Sequence, residues 1–488
     1  MEKQLKCFLL LSLKEMALRR VAVLLWSDSD ISGSILKFPI HGYYNNEMKK
    51  LLRETTLDKV VDKVSKLDLP KSLTKQMIDI FHPIGVEIRR WKEIHQDIFS
   101  ILLEDINLPV WVKLCWTTAG TIDDKKTAEA LIRCGVLDVQ KRYELACVYC
   151  LEDYIPLLWE ELPGEMRDHY QNENDSSDLF FCWPHVFKGE LSKLDYLLRI
   201  DDRKLTSFNQ WAFEQSVEDN NKIAAEYFFL KLTHEEREAS LMRSAHAALA
   251  NHDFDEESFP GVVCYLLSVM TPEQQMEAIK AHPVHVLLCF WDLPLRDVFL
   301  ENVGLIWTFL PPSGYNDVLG KMANRFEFSG HYFPKLFQQF FLKSPLDFKK
   351  CFYVEESPFG NLYAYHFLHV FLKSEDSESI EVIFRNLDAA DRVKLVLDSD
   401  VLQLFYSGIL REKWHMVEVC LREATLSKED RERLKEAFLG FLKSNDTREI
   451  ELENPKWKRV FEFLDETDAS ADEEKKDQKR KLENCCPE

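Results

Sequence analysis

The sequence predicts an all-α fold, an α-solenoid of diverged helix pairs, and three observations predict it. A short polar segment followed by apolar residues at i, i+1, i+4 and i+5 recurs about every 36 residues, within the range of stacked helical units. Copies are Gly189-Glu190-Leu191-Ser192-Lys193-Leu194-Asp195-Tyr196-Leu197-Leu198, Asp376 to Phe384, and Glu412 to Leu421. Composition agrees: 46% of 488 residues are hydrophobic and 12% aromatic, enough for a sizeable core, with only 15 Gly and 18 Pro. Helix starts carry capping chemistry, as in Thr271-Pro272-Glu273 and Ser427-Lys428-Glu429-Asp430, where Ser or Thr caps and Pro or acids fill the first turn.

Residues 1–109 read as an N-terminal helical cap region. Leu13 to Trp26 is an amphipathic helix and Ser27 to Asn46 a loop. Glu47 to Leu67 is helical and ends at Leu69-Pro70, after which Ser72 caps a helix toward Phe81 and a further helix spans Val86 to Leu103. Residues 110–445 form the repeat array, about eight to ten helical pairs. Its polar segments fall near Asp123, Cys150 to Asp153, Gly189, Asp219, Ser258, Pro294, Gly330, Asp376 and Glu412. Residues 446–464 read as a terminal capping helix. Residues 465–488, a mixed-charge run without apolar periodicity, read as a disordered tail.

Several units resemble diverged ankyrin repeats. That family joins small residues in a first helix, through a Gly-His-type turn, to Ile-Val-x-x-Leu-Leu in a second. Gly189 to Leu198 follows the second half. Tyr143, Ala146 and Cys147 followed by Tyr154, Ile155, Leu158 and Trp159 fit too. So do Asn220 to Ala224 with Tyr227-Phe228, and His415-Met416-Val417 with Cys420-Leu421. Ala130 to Gly135 is similar to the family's Leu-Leu-x-x-Gly. The Thr-Pro-Leu-His helix start is absent and most Gly-Ala-Asp hairpin tips are missing, which leaves a HEAT-like helical-pair solenoid as the alternative. The resemblance implies protein-binding surfaces and supplies no catalytic residues.

Charge and motifs narrow the function. A net charge of −21 argues against nucleic acid as the main ligand and favours a protein partner with a basic surface. The twelve cysteines lie singly in apolar runs apart from Cys147/Cys150 and Cys485/Cys486, as expected for buried thiols in a reducing compartment. The run Cys7 to Leu13 meets Lys14-Glu15 without a small-residue cleavage site and does not read as a signal peptide. No apolar stretch reaches the length of a membrane span. A cytoplasmic location follows as the expectation, with the nucleus as alternative.

Asp28-Ser29-Asp30-Ile31-Ser32-Gly33-Ser34-Ile35 matches the opening of an EF-hand loop, yet Pro39 stands where the bidentate Glu should be, so it reads as a polar loop. Cys147-Val148-Tyr149-Cys150 has zinc spacing but no second pair, and reads as core packing within a helix. The pairs His282/His285 and His366/His369 lack a matching carboxylate. Nucleotide-binding, nucleophile-elbow and His-Glu-x-x-His motifs are absent. The expectation is a non-catalytic interaction or scaffold protein without cofactor, metal or catalytic residues. The alternative is a substrate-adaptor subunit of a ubiquitin-ligase-type complex, because Leu69 to Ile78 resembles the opening of an F-box. A far-ultraviolet circular dichroism spectrum should show strong helical minima. A sheet-dominated spectrum would reject this fold class.

Overall fold

The computed structural model describes residues 4–7, 10–28, 59–99, 114–135, 137–172, 177–199, 204–251, 261–291, 295–328, 334–354, 361–445 and 457–465. The described residues are helical in nearly all their regular structure, with an isolated antiparallel bridge between Trp116 and Ile122. They divide into two compact units, Met1–Pro311 and Pro312–Glu488. The division falls inside the region expected to be one array.

The first unit begins with the helix Leu13–Trp26, opened by a capping box in which Ser12 and Glu15 exchange side-chain and backbone bonds. Its apolar stripe of Leu18, Ala22, Val23 and Trp26 packs on Met77, Phe81, Ile84 and Ile88 of the helix Lys71–Phe99. Trp26 stacks on Phe81 at 4.2 Å and donates Nε1–H to the Phe81 carbonyl at 2.8 Å. A Cβ at Gly85 would lie 2.3 Å from the Trp26 ring, so glycine is what allows this approach. The expected pair of helices from Ser72 to Phe81 and from Val86 is therefore one helix running through Pro83. Its buried stripe continues across the proline, and that burial outweighs the lost backbone bond. Ser72 sits inside the first turn, where the Pro70 carbonyl accepts Leu73 and Thr74 N–H. Of the expected helix Glu47 to Leu67, residues 59–65 are helical. Residues 29–58 lie outside the description, and with them most of the Ser27 to Asn46 loop and of the EF-hand-like segment.

Many of the helices that follow fall in groups of three. In the first unit, after Asp124–Cys134, two such groups are Val139–Val148, Ile155–Glu161 and Gly164–Asn172, then Phe208–Glu218, Lys222–Lys231 and His234–Asn251. The unit's last described helices are Gly261–Val269, Pro272–Ala281, Pro283–Leu288 and Arg296–Ile306. The pair Phe208–Glu218 and Lys222–Lys231 is the most extensively packed, because the fully buried Ala212, Ala224 and Ala225 let the backbones approach. Between these groups the helix Leu179–Phe187 leads into Gly189 to Leu198. That segment, expected to be an α-helix, forms two 3₁₀ turns, Leu191–Leu194 and Leu197–Arg199. Side chains three apart eclipse in a 3₁₀ turn, which points Leu194 and Leu197 inward and leaves Leu198 half-buried.

In the second unit the groups are Pro312–Phe328, Pro334–Lys343 and Leu346–Val354; Tyr363–Ser374, Ser377–Arg385 and Ala389–Leu397; and Ser399–Leu410, Trp414–Ala424 and Lys428–Asn445. Corresponding helices of successive groups pack together: Pro312–Phe328 on Tyr363–Ser374 and that on Ser399–Leu410, and Pro334–Lys343 on Ser377–Arg385 and that on Trp414–Ala424. Phe337, Phe341, Phe352, Phe367 and Phe371 fill one cluster, with Phe337 stacked on Phe367 at 4.4 Å. Residues 457–465 are helical, and Trp457 stacks on Tyr406 at 5.1 Å beside Phe438. Residues 446–456 and the charged run 466–488 lie outside the description, as do Ser258, Pro294 and Gly330.

Five helix ends share one turn. Cys150, Gly189, Asn220, Glu375 and Glu412 adopt left-handed backbone with φ of 51°, 73°, 52°, 55° and 64°. In each, the next residue's N–H reaches back to a carbonyl in the last helical turn: Leu151 to Ala146, Glu190 to His185, Asn221 to Ser216, Asp376 to Phe371 and Lys413 to Gly408, at 2.8–3.0 Å. This is the Schellman closure. Only Gly189 adopts it without strain; an added Cβ there meets nothing within 4 Å, so backbone conformation alone decides its substitution. Gly189→Ala should cost about 1 kcal/mol and Glu412→Gly should gain up to about 1 kcal/mol. Urea unfolding of both variants measures this, and shifts of the same sign would contradict it.

Candidate interaction edge and buried polar groups

Two pairs of left-handed turns, one pair in each unit, are tied through side chains. Asn221 donates Nδ2–H to the Val148 carbonyl at 2.9 Å, and Lys413 donates Nζ to the Lys373 carbonyl at 2.7 Å. Each accepting carbonyl stands just before the left-handed residue of another turn. Lys413 also pairs with Glu375 at 3.1 Å. In the first unit Glu152 accepts Lys231 Nζ at 2.7 Å and the Tyr227 hydroxyl. Partial burial alone would raise its carboxyl, but those two donors hold Glu152 below its usual range. Lys193, and then His185, hold Glu190 down in the same way.

The tips of these turns are acidic. Glu152, Asp153, Glu218, Asp219, Glu375 and Glu412 are exposed, and Glu190 and Asp376 half-exposed. Apolar and aromatic side chains stand beside them in the first unit. Leu157 and Leu230 are 65% and 74% exposed on the helices that follow two of the turns. Lys188 lies 5.1 Å over Trp159 and Lys231 4.3 Å over Tyr227. Aromatic and long side chains of this kind, beside charge, suit a protein contact.

A second recurring device closes the other helix ends. One turn into five helices a donor reaches back over the start to a nearby carbonyl. Arg237 donates to Phe229 and Leu230 carbonyls, Gln275 to Leu267, Lys349 to Leu342, Arg392 to Leu387 and Arg431 to Leu426, at 2.7–3.2 Å. Thr233, Thr271, Asp388 and Ser427 cap four of these helices.

Cys147 and Cys150 are both buried, as core packing requires. Only Cys147 lies on a helix, however; Cys150 is the left-handed residue beyond it, a correction forced by the reversal of the chain. Burial drives both thiols upward, away from the thiolate that metal binding or attack requires. His282 and His285 are half-buried, and their rings lie 6.1 Å apart with His246 5.3 Å from His282. His366 and His369 are half-buried beside Tyr365. Asp28 pairs with Lys63 at 2.5 Å. Among the described residues no group of three or more His, Cys, Asp or Glu is placed to hold a metal ion. Among them, too, no helix is long and apolar enough to cross a membrane.

Two buried polar groups escaped sequence reasoning. The fully buried His95 stacks on Trp91 at 4.0 Å, with Nδ1 2.6 Å from the Trp91 carbonyl. A carbonyl only accepts, so Nδ1 carries the proton and Nε2 accepts the Tyr149 hydroxyl. Burial lowers His95 to about 4, so it is neutral at pH 7. In the second group the buried Glu214 accepts Ser240 Oγ at 2.6 Å and pairs with Arg243, while Gln210 donates to Ser240 at 2.9 Å. These residues join helices Phe208–Glu218 and His234–Asn251. A carboxylate held by Ser and Arg between packed helices fixes their register. No periodicity marks either group, since the partners lie far apart in sequence.

The class that fold and site define is an all-α protein in which left-handed turns bearing carboxylates close helix ends in each of two compact units. No protein-family model matches the chain, and no significant match exists among curated proteins.

Tyr149→Phe should cost about 1–3 kcal/mol by leaving His95 Nε2 buried and unpaired. The sign of the pH effect follows from the lowered His95: the unfolded imidazole, near 6.5, binds the proton that the folded one refuses. Stability from His95 is thus complete above pH 6.5 and lost as pH falls toward 4, by up to about 3 kcal/mol. Chemical unfolding at pH 7 and pH 5 should show a smaller loss for His95→Gln than for the native chain.

Proposed function

We propose that the protein is a non-catalytic interaction protein, an α-solenoid in which the acidic turns of each compact unit, with the helices that follow them, hold a protein partner with a basic surface. The observation that carries this is the recurrence of one turn, with one closure, at Cys150, Gly189, Asn220, Glu375 and Glu412, its tips bearing carboxylates. Repetition with local variation is how helical arrays present extended binding faces. The ankyrin-like assignment draws support from these turns, which join a first helix to a second where the family places its Gly-His-type turn. The third helix of each group departs from a simple pair and keeps the HEAT-like alternative open. An intracellular setting, cytoplasmic or nuclear, accords with the ten cysteines found free among the described residues.

The ubiquitin-ligase-adaptor reading draws less support. Leu69-Pro70 does precede a helix, but the stripe Met77, Phe81, Ile84 and Ile88 is buried against Leu13–Trp26 and is not offered to another subunit.

Affinity capture with the full chain at low ionic strength tests the proposal. Asp153→Lys in the first unit or Glu412→Lys in the second should weaken the captured complex about tenfold, and added salt should weaken it further. Recovery that ignores both the charge reversal and salt would rule out the acidic turns as the contact.

A further inference from the structure

The segment Gln4–Cys7 has no secondary structure of its own, yet its main chain is held by side chains of distant helices. Gln275 Oε1 accepts the Leu5 N–H at 3.1 Å. Asn302 makes a two-point contact with Lys6, its Oδ1 accepting the N–H at 2.8 Å and its Nδ2 donating to the carbonyl at 3.0 Å. Both amides are buried. Gln275 is locked in orientation because its Nε2 donates to the Leu267 carbonyl at 2.7 Å, which leaves its oxygen facing the segment. Side chains of the segment alternate as in an extended strand. Leu5 is buried, Lys6 points out to pair with Glu301, and Cys7 turns inward toward Cys264, where burial pushes its thiol up to about 12.

We propose that Gln275, Asn302 and Glu301 form a binding site for an extended peptide of alternating apolar and basic residues, filled in this chain by its own segment Gln4–Cys7. The site reads main chain through amide side chains, so recognition does not depend on one sequence. Specificity comes from the inward apolar positions on either side of an outward cation. A partner segment of the same pattern competes with the intrachain one, whose advantage is its effective concentration. The inference rests on the protein-binding reading above and names a ligand class for it. It uses residues outside the acidic turns, so loss of capture by the turn variants would leave this site untouched.

Lys6→Pro in the full chain removes the N–H that Asn302 accepts while keeping an extended backbone. The probe is a fluorescein-labelled peptide of residues 1–9, followed by fluorescence anisotropy. The Lys6→Pro chain should bind it saturably, and the native chain at least about tenfold more weakly because its site is filled. A probe carrying the same proline should lose at least about tenfold on the Lys6→Pro chain. Absence of saturable binding to that chain, or equal binding of both peptides, overturns the proposal. Maleimide labelling of Cys7, located by mass spectrometry, gives a readout that needs no added peptide. It should quicken at least about tenfold in Lys6→Pro with the melting temperature retained. An unchanged rate would show that the clamp does not hold the segment.

Discussion

The structure depends on how helix C-termini are closed. An all-α chain that reverses direction after nearly every helix exposes a set of carbonyls at each end, and buried carbonyls left unpaired are costly. The left-handed turns at Cys150, Gly189, Asn220, Glu375 and Glu412 satisfy some of them within the backbone. Asn221 and Lys413 satisfy others from turn to turn. Arg237, Gln275, Lys349, Arg392 and Arg431 do so from the start of the next helix. Charged donors make these bonds stronger than neutral ones, at about 1.5–3 kcal/mol each.

With the ends closed in this way, apolar packing is free to be varied. Alanines bring Phe208–Glu218 and Lys222–Lys231 close in the first unit, while in the second a phenylalanine cluster fills the space among Pro334–Lys343, Leu346–Val354 and Tyr363–Ser374. The polar groups inside, His95 with Tyr149 and Glu214 with Arg243, join neighbouring helices and serve alignment. The surface carries acidic turn tips and exposed leucines beside aromatics, while the amides that hold extended main chain are buried beneath Gln4–Cys7. On the proposed reading, acidic tips and a clamp that leaves a cation pointing outward would share a preference for basic partners.

By itself the sequence determined the helical class, several caps and several of the places where the chain turns. Those are local matters: apolar spacing of 3.6 and a Ser, Thr or Asp before an acidic first turn act within a few residues. The polar segments read at Cys150, Gly189 and Glu412 carry the left-handed turns themselves, and those near Asp219 and Asp376 lie one residue away. The acidic turns were legible to that extent. Tertiary structure alone decided that the helix Lys71–Phe99 continues through Pro83, that Gly189 to Leu198 becomes two 3₁₀ turns and that a third helix joins each pair. It alone brought His95 to Tyr149, Glu214 to Arg243 and Asn302 to Lys6. Such outcomes turn on burial between residues distant in sequence, and burying one large apolar side chain, at about 1.5–3 kcal/mol, exceeds the local preferences that a sequence displays.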